Sequence, residues 1–161
     1  MTFLDDVARG LLAAGRSLEI DTAQSTIDVS SASAGQVLAV VRPLARAVTF
    51  YVVHPVLVPP ESSAAVGELV VRATADLLDA SLELDLATGA LATRFGLVLG
   101  ELELPDDELG ELIDVALETV ETAAERYAEA VDEVLTGVDP RTAAADVRRA
   151  PVEDLAAGLA D

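Results

Sequence analysis

Seven residues near the N-terminus recur 64 positions later, and this repeat constrains the fold more than any other sequence feature. Residues 17–23 read Ser-Leu-Glu-Ile-Asp-Thr-Ala, and residues 81–87 read Ser-Leu-Glu-Leu-Asp-Leu-Ala. In both copies polar and apolar side chains alternate with a period of two, which is typical of a half-buried strand. Each copy follows a segment of helical periodicity. The repeat predicts two related helix-then-hairpin units in one sheet, although a match this short also arises by coincidence.

Hydrophobic periodicity and the Pro and Gly positions predict the remaining elements. In chain order these are a helix over residues 3–14 that stops at Gly15, strands over 17–21 and 26–30, a small-residue loop over 30–35, strands over 36–42 and 47–58, a helix that begins at 59–61, a hairpin of strands 81–86 and 90–99 around Thr88 and Gly89, and a long helix from 105–108 to Gly137. The order α-β-β-β-β-α-β-β-α lacks regular βα alternation, so it predicts an α+β fold with a largely antiparallel sheet.

The chain has 161 residues, of which 52% are hydrophobic, so it is long enough to bury a core without disulfides or a metal. We expect one α+β domain over residues 1–137 and a tail over 138–161. Pro140 and Pro151 divide this tail into two short, weakly held helices. Its alanine-rich composition is compatible with packing on its own domain, exchange with a partner, or mobility.

Charge excludes several classes of partner. The net charge is −19, and all ten basic residues are arginine. Nucleic acid and anionic membranes are therefore not expected partners, because both require clustered cations. An acidic chain without lysine fits both a salty cytoplasm and the codon bias of a GC-rich genome. Acidic residues at Asp5 and Asp6, where a secretory signal carries positive charge, lead us to expect a cytoplasmic protein.

Few side chains in this sequence are suited to catalysis. The sequence has no cysteine, which excludes disulfides and thiolate chemistry. It has only one histidine, His54, which leaves few ligands for a transition-metal site. The sequence contains neither a Gly-x-Ser-x-Gly nucleophile elbow nor a phosphate-binding loop. We therefore expect a protein without enzymatic activity and without a cofactor.

Three segments of the sequence resemble the YbjN family, whose members are similar in fold to the class I type III secretion chaperones. They are residues 58–61 (Val-Pro-Pro-Glu), which begin the middle helix, the hairpin over 82–89 (Leu-Glu-Leu-Asp-Leu-Ala-Thr-Gly), and the end of the acidic helix at 134–137 (Val-Leu-Thr-Gly). The resemblance covers roughly residues 3–137 and implies a compact α+β protein, often paired, of a family described as sensory transduction regulators. Pro60 and the tail depart from the family pattern.

The first functional hypothesis is a protein-interaction module, expected to be a homodimer, that regulates or escorts another protein. The apolar strand over 47–58 is the candidate interface, where it would pair with a second subunit or receive an extended client segment. The residues predicted on this surface are Phe50, Val52, His54 and Val56. A structural subunit of a larger assembly has the same sequence signature.

The rival hypothesis is a divalent-cation sensor or enzyme. Two carboxylates stand two residues apart on each copy of the repeat, so each pair shares one face of its strand. If the two hairpins were adjacent, Glu19, Asp21, Glu83 and Asp85 would offer oxygen ligands to one hard cation. The alternative is a solvated sheet face.

The last long helix predicts a second candidate surface. Its outer side carries a row of carboxylates with Arg126 as the one nearby cation, so this side either is simply solvated or receives a basic partner segment. The row consists of Glu111, Asp114, Glu118, Glu121, Glu125, Glu129 and Asp132.

Overall fold

The computed structural model describes residues 2–31 and 36–157, with side chains of the last helix described up to Arg149. Residues 32–35 of the small-residue loop and the last four residues of the tail lie outside the described residues. The elements are α1 (Phe3–Ala13), β1 (Leu18–Asp21), β2 (Thr26–Ser30), β3 (Gln36–Arg42), β4 (Ala47–Val53), α2 (Ser63–Asp76), β5 (Ser81–Leu84), β6 (Leu91–Val98), α3 (Asp106–Leu135) and α4 (Pro140–Ala157).

The six strands form one sheet in the order β1-β2-β3-β4-β6-β5, and every neighbouring pair is antiparallel. The predicted α+β class and antiparallel sheet are confirmed. The two halves of the repeat supply the two edge strands, β1 and β5, and each follows a helix. The fourth predicted strand is shorter than expected. The β4 strand ends at Val53, although the His54 N–H still donates to the Leu91 carbonyl at 2.8 Å, and Pro55 has no N–H to continue the ladder.

Helices α1, α2 and α3 pack on one face of the sheet, α4 packs against α2 and α3, and the buried side chains form two adjoining clusters. The first cluster joins α1 and the N-terminal half of α3 to β2, β3 and β4, with Phe50 and Leu117 fully buried at its centre. The second joins α2, α4 and the C-terminal half of α3 to β5 and β6, around Leu69 and Tyr127. The opposite sheet face carries no described helix.

The 30-residue α3 helix spans both clusters and has the boundaries that the sequence predicts. Pro105 precedes it, and three acidic residues in its first turn complement the positive end of the helix dipole. It ends where Gly137 adopts a φ of 105° and donates its N–H to the Val134 carbonyl. This left-handed conformation favours glycine and terminates the helix.

The tail forms part of the second cluster. Residues from Pro140 to Ala157 form one helix, not the two short ones predicted, and this helix contacts α2 and α3. Ala143 and Ala144 are buried in the second cluster. Their small side chains allow α4 to approach its neighbours closely, so the tail packs on its own domain. None of the described helices combines the length and apolar composition needed to cross a membrane.

Candidate functional site

The predicted interface strand lies in the interior of the sheet. Strand β4 is hydrogen-bonded to β3 on one side and to β6 on the other, so it has no free edge for an extended client segment. The Phe50 side chain is fully buried and Val52 is 7% exposed, and both belong to the first cluster. The prediction that these two side chains form an interaction surface is therefore corrected: the apolar strand is apolar because it crosses the core.

His54 and Val56 lie in the loop that leaves β4. His54 Nδ1 is 3.1 Å from the Val56 carbonyl oxygen, and Nε2 is 3.6 Å from Asp132 Oδ1 on α3. The imidazole thus lies between this loop and the long helix, with only 14% of its side chain exposed. Of the four predicted surface residues, only Val56 is well exposed, at 54%.

The four strand carboxylates do not converge. Glu19 and Asp21 lie on β1, whereas Glu83 lies on β5 and Asp85 directly follows it. Because β1 and β5 are the two edges of a six-stranded sheet, they are about 24 Å apart at the usual strand spacing. No group of three or more potential metal-ligating side chains occurs among the described residues. The predicted cation site is therefore corrected.

Instead, three of these carboxylates stabilise local structure. Asp21 Oδ1 accepts from the N–H groups of Ala23 and Gln24. The Thr88 hydroxyl and the Ala87 N–H donate to Asp85 and hold the pKa of its carboxyl below the usual value. Glu83 pairs with Arg94 across the β5–β6 ladder at 3.0 Å.

The acidic side of α3 differs from the prediction at one position. Glu121 is not on the outer side, because its side chain is only 10% exposed and lies 3.3 Å from the Arg16 guanidinium. The same guanidinium is 3.5 Å from Asp114. A cation from the turn that follows α1 therefore pairs with two carboxylates that the sequence assigned to one solvated row.

A groove opens beside the middle of α3, between that helix and the loop that joins α2 to β5. Its volume is about 450 Å³. Two exposed apolar side chains border it: Leu78, which is 96% exposed, and Val115, which is 58% exposed. Asp79 and Glu118 line the same groove and form no ion pair within the described residues. An apolar surface next to two uncompensated carboxylates can bind an apolar segment that carries positive charge.

One wall of the groove is fixed by a polar network around Asp76. The Tyr127 hydroxyl donates to Asp76 Oδ2 at 2.8 Å, and Arg126 contacts the same oxygen at 2.8 Å. Arg148 of α4 lies 3.5 Å from the other carboxylate oxygen. Burial, together with the hydrogen bond to Asp76, raises the pKa of Tyr127 to about 12. The network ties three helices together and leaves the groove preformed.

Sequence reasoning identified the acidic side of α3 but missed the groove. The available signal was Val115, which lies between Glu111 and Glu118 on the outer side of an otherwise charged helix face. No sequence pattern indicated Leu78, because its exposure depends on how the loop after α2 crosses α3.

A comparison with solved structures supports the fold. The chain superimposes on a solved structure described as "Crystal structure of YbjN, a putative transcription regulator from E. coli", with a TM-score of 0.60. The sequence identity is 11%, and the match covers 78% of this chain and 91% of the solved chain. The chain therefore has a YbjN-like fold, as its sequence predicts. No family model and no curated protein sequence matches the chain.

Proposed function

We propose that this chain is a non-enzymatic protein-interaction module of the cytoplasm that regulates or escorts another protein. In this proposal the groove between α3 and the α2–β5 loop binds an apolar segment of the partner that is flanked by arginine or lysine. The observation that carries the proposal is the combination of exposed Leu78 and Val115 with the carboxylates of Asp79 and Glu118 in one preformed groove.

The two kinds of side chain have different roles. Burying Leu78 and Val115 supplies affinity, at about 25 cal/mol for each Å² of apolar surface removed from water. The carboxylates select the sign of the partner's charge and accelerate its approach, since the field of a protein with a net charge of −19 attracts cations. A binding role also agrees with the description of the solved YbjN structure as that of a regulator.

A pair of designed peptides tests this function. Both are fluorescent amphipathic helices with the same leucine face, and one carries arginine where the other carries glutamate. We expect the arginine peptide to bind and the glutamate peptide not to bind. Adding salt should weaken binding of the arginine peptide, because salt screens exposed charges.

Substitution of one exposed apolar residue at a time then locates the site. Val115→Lys should weaken binding of the arginine peptide at least about tenfold, because it buries a charge in the apolar contact. Leu44→Lys is the matched control, since Leu44 is fully exposed in the short turn between β3 and β4, away from the groove. Equal binding by wild type and Val115→Lys, or equal binding of both peptides, would exclude this site.

A further inference from the structure

The sheet face opposite the helices, which we call the open face, carries charged and polar side chains towards its edges and apolar ones at its centre. Its centre is formed by Leu38, Val40, Thr49 and Tyr51, which alternate with core residues along β3 and β4 and remain partly exposed. Val98 on β6 is 67% exposed. None of these side chains belongs to either core cluster. An antiparallel sheet can leave one face in water, but covering the apolar centre of this face would remove apolar surface from water and so be favourable.

Charge is distributed asymmetrically across the central row of the open face. The strand registers place Asp28 beside Leu38, Leu38 beside Tyr51, and Tyr51 beside Arg94. Glu19 lies next to Asp28 at one end of the row, and Ser81 lies next to Arg94 at the other. The row is therefore acidic at its β1–β2 end, apolar in the middle and basic at β6.

This order is complementary to itself under one symmetry operation. A two-fold axis that runs along the strands, between β3 and β4, places two copies face to face and reverses the order of the strands. Strand β2 then lies over β6 of the second copy, and β3 lies over its β4. Asp28 of each copy faces Arg94 of the other, and Leu38 faces Tyr51. A two-fold operation generates each of these pairs twice.

The row below fits the same operation. It contains Thr26, Val40, Thr49 and Gly96 on successive strands. Val40 then faces Thr49, and Thr26 faces Gly96. A Cβ atom at Gly96 would meet only Thr49 Oγ1, at 3.7 Å, so the space above this glycine is open to a side chain from outside.

We propose that a second copy of this chain covers the open face through this two-fold axis, with reciprocal contacts between Asp28 and Arg94. The six strands contain 35 residues in all, which give a projected face of about 550 Å² at standard strand dimensions. Protruding side chains increase the accessible area above that value, towards the roughly 800 Å² per partner of a standard interface. The proposal deepens the predicted homodimer and is independent of the groove, which lies on the helical side of the sheet.

Both charged partners are available for these contacts. Asp28 accepts one hydrogen bond from the Gln36 amide at 2.7 Å, which leaves capacity on its second oxygen. Arg94 pairs with Glu83 at 3.0 Å, yet 49% of its side chain is exposed and further N–H donors are free to bind. Within one chain Asp28 and Arg94 are three strands apart, about 14 Å, so they contact each other only across an interface.

Charge reversal tests the geometry, with light scattering after size-exclusion chromatography as the measurement. The wild type should be a dimer at about 100 μM, a concentration at which even micromolar association is nearly complete. Asp28→Arg places two arginines against each other twice, and Arg94→Glu does the same with carboxylates. Each variant alone should dimerise at least about tenfold more weakly than the wild type.

Mixing the two variants is the decisive step. In the mixed dimer the arginine introduced at position 28 of one chain faces the glutamate introduced at position 94 of the other, and the second contact pairs the unchanged Arg94 with the unchanged Asp28. An equimolar mixture should therefore recover a heterodimer. Glu129→Arg, on an exposed position of α3, is the control and should leave the dimer unchanged. Circular dichroism melts verify that each variant is folded. A monomeric wild type, dimeric single variants, or a mixture that fails to form heterodimers would each overturn the proposal.

Discussion

The two helix-then-hairpin units use the same turn but place it in different surroundings. In the first unit Asp21 Oδ1 accepts from the Ala23 N–H at 2.9 Å, and in the second Asp85 Oδ1 accepts from the Ala87 N–H at 2.8 Å. Four residues after each aspartate the backbone has a positive φ, 55° at Ser25 and 77° at Gly89. The two copies of the repeat are therefore alike in turn structure as well as in sequence.

The surroundings of the two positive-φ residues differ. The Ser25 carbonyl accepts from Val41 N–H at 2.9 Å, and the Gly89 carbonyl accepts from Val58 N–H at 2.8 Å. A Cβ atom on Gly89, however, would lie only 2.4 Å from the Val58 carbonyl oxygen. The comparison shows that local turn chemistry tolerates a serine at this position, whereas the close approach of the loop before α2 permits only glycine in the second unit.

Exchanging the two turn residues should have unequal effects. Gly89→Ser combines a left-handed backbone with a clash against main-chain atoms, so we expect it to lower the free energy of unfolding by about 3 kcal/mol or more. Ser25→Gly relieves the left-handed conformation but increases the entropy of the unfolded chain, so its effect should stay within about 1 kcal/mol. Urea denaturation of both variants measures the difference. Similar losses for the two variants would show that the Val58 contact is unimportant.

The polar contacts that connect α3 to the neighbouring elements also differ between the two core clusters. In the first, Arg16 reaches from the turn that follows α1 to Asp114 and Glu121. In the second, the carboxylate of Asp76 on α2 accepts contacts from Tyr127, Arg126 and Arg148. The first connection thus has one cation between two acids, and the second has one acid among several donors.

Removing the cation from the first connection should destabilise the fold. Arg16→Leu leaves Glu121 nearly buried without a counter-charge, and we expect a loss of about 1–3 kcal/mol. Arg149→Leu is the control, because Arg149 and its partner Asp146 are well exposed on α4. Such surface pairs contribute about 0–1 kcal/mol. Chemical denaturation gives both values, and equal effects of the two substitutions would contradict a special role for Arg16.

Much of the fold could be predicted from local sequence patterns. The features that could not be predicted depend on contacts between residues that are distant in sequence. The alternation of polar and apolar residues, together with the positions of Pro and Gly, predicted six strands, and Gly137 predicted the end of α3. The predicted surface on Phe50 and Val52 was wrong because an uninterrupted apolar strand identifies a central strand as readily as an interface. Glu121 was misplaced because its partner, Arg16, is distant in sequence. The groove at Leu78 arises only from the packing of a loop against a helix.

Alkaline pH should weaken the contacts around Asp76 in the second cluster but not the contacts of Arg16 in the first. Neutral pH should leave both intact. Burial raises the pKa of Tyr127 from 10.0 to about 12, so between these values the unfolded chain releases a proton that the folded chain retains. The contribution to stability is complete below pH 10 and is lost as pH rises to 12. The chain has no lysine, so the two tyrosines are its only side chains with an ordinary pKa near 10.

Urea denaturation between pH 9 and 12 should therefore show decreasing stability in the wild type and in Tyr51→Phe, but a smaller decrease in Tyr127→Phe. Absorbance of the phenolate follows ionisation directly in the same samples. Because Asp76 also pairs with Arg126 and Arg148, Tyr127→Phe should cost only about 1 kcal/mol at pH 7. An identical pH dependence in wild type and Tyr127→Phe would mean that the hydroxyl ionises as freely in the folded protein as in the unfolded chain. The hydrogen bond to Asp76 would then not be what holds α3 to α2.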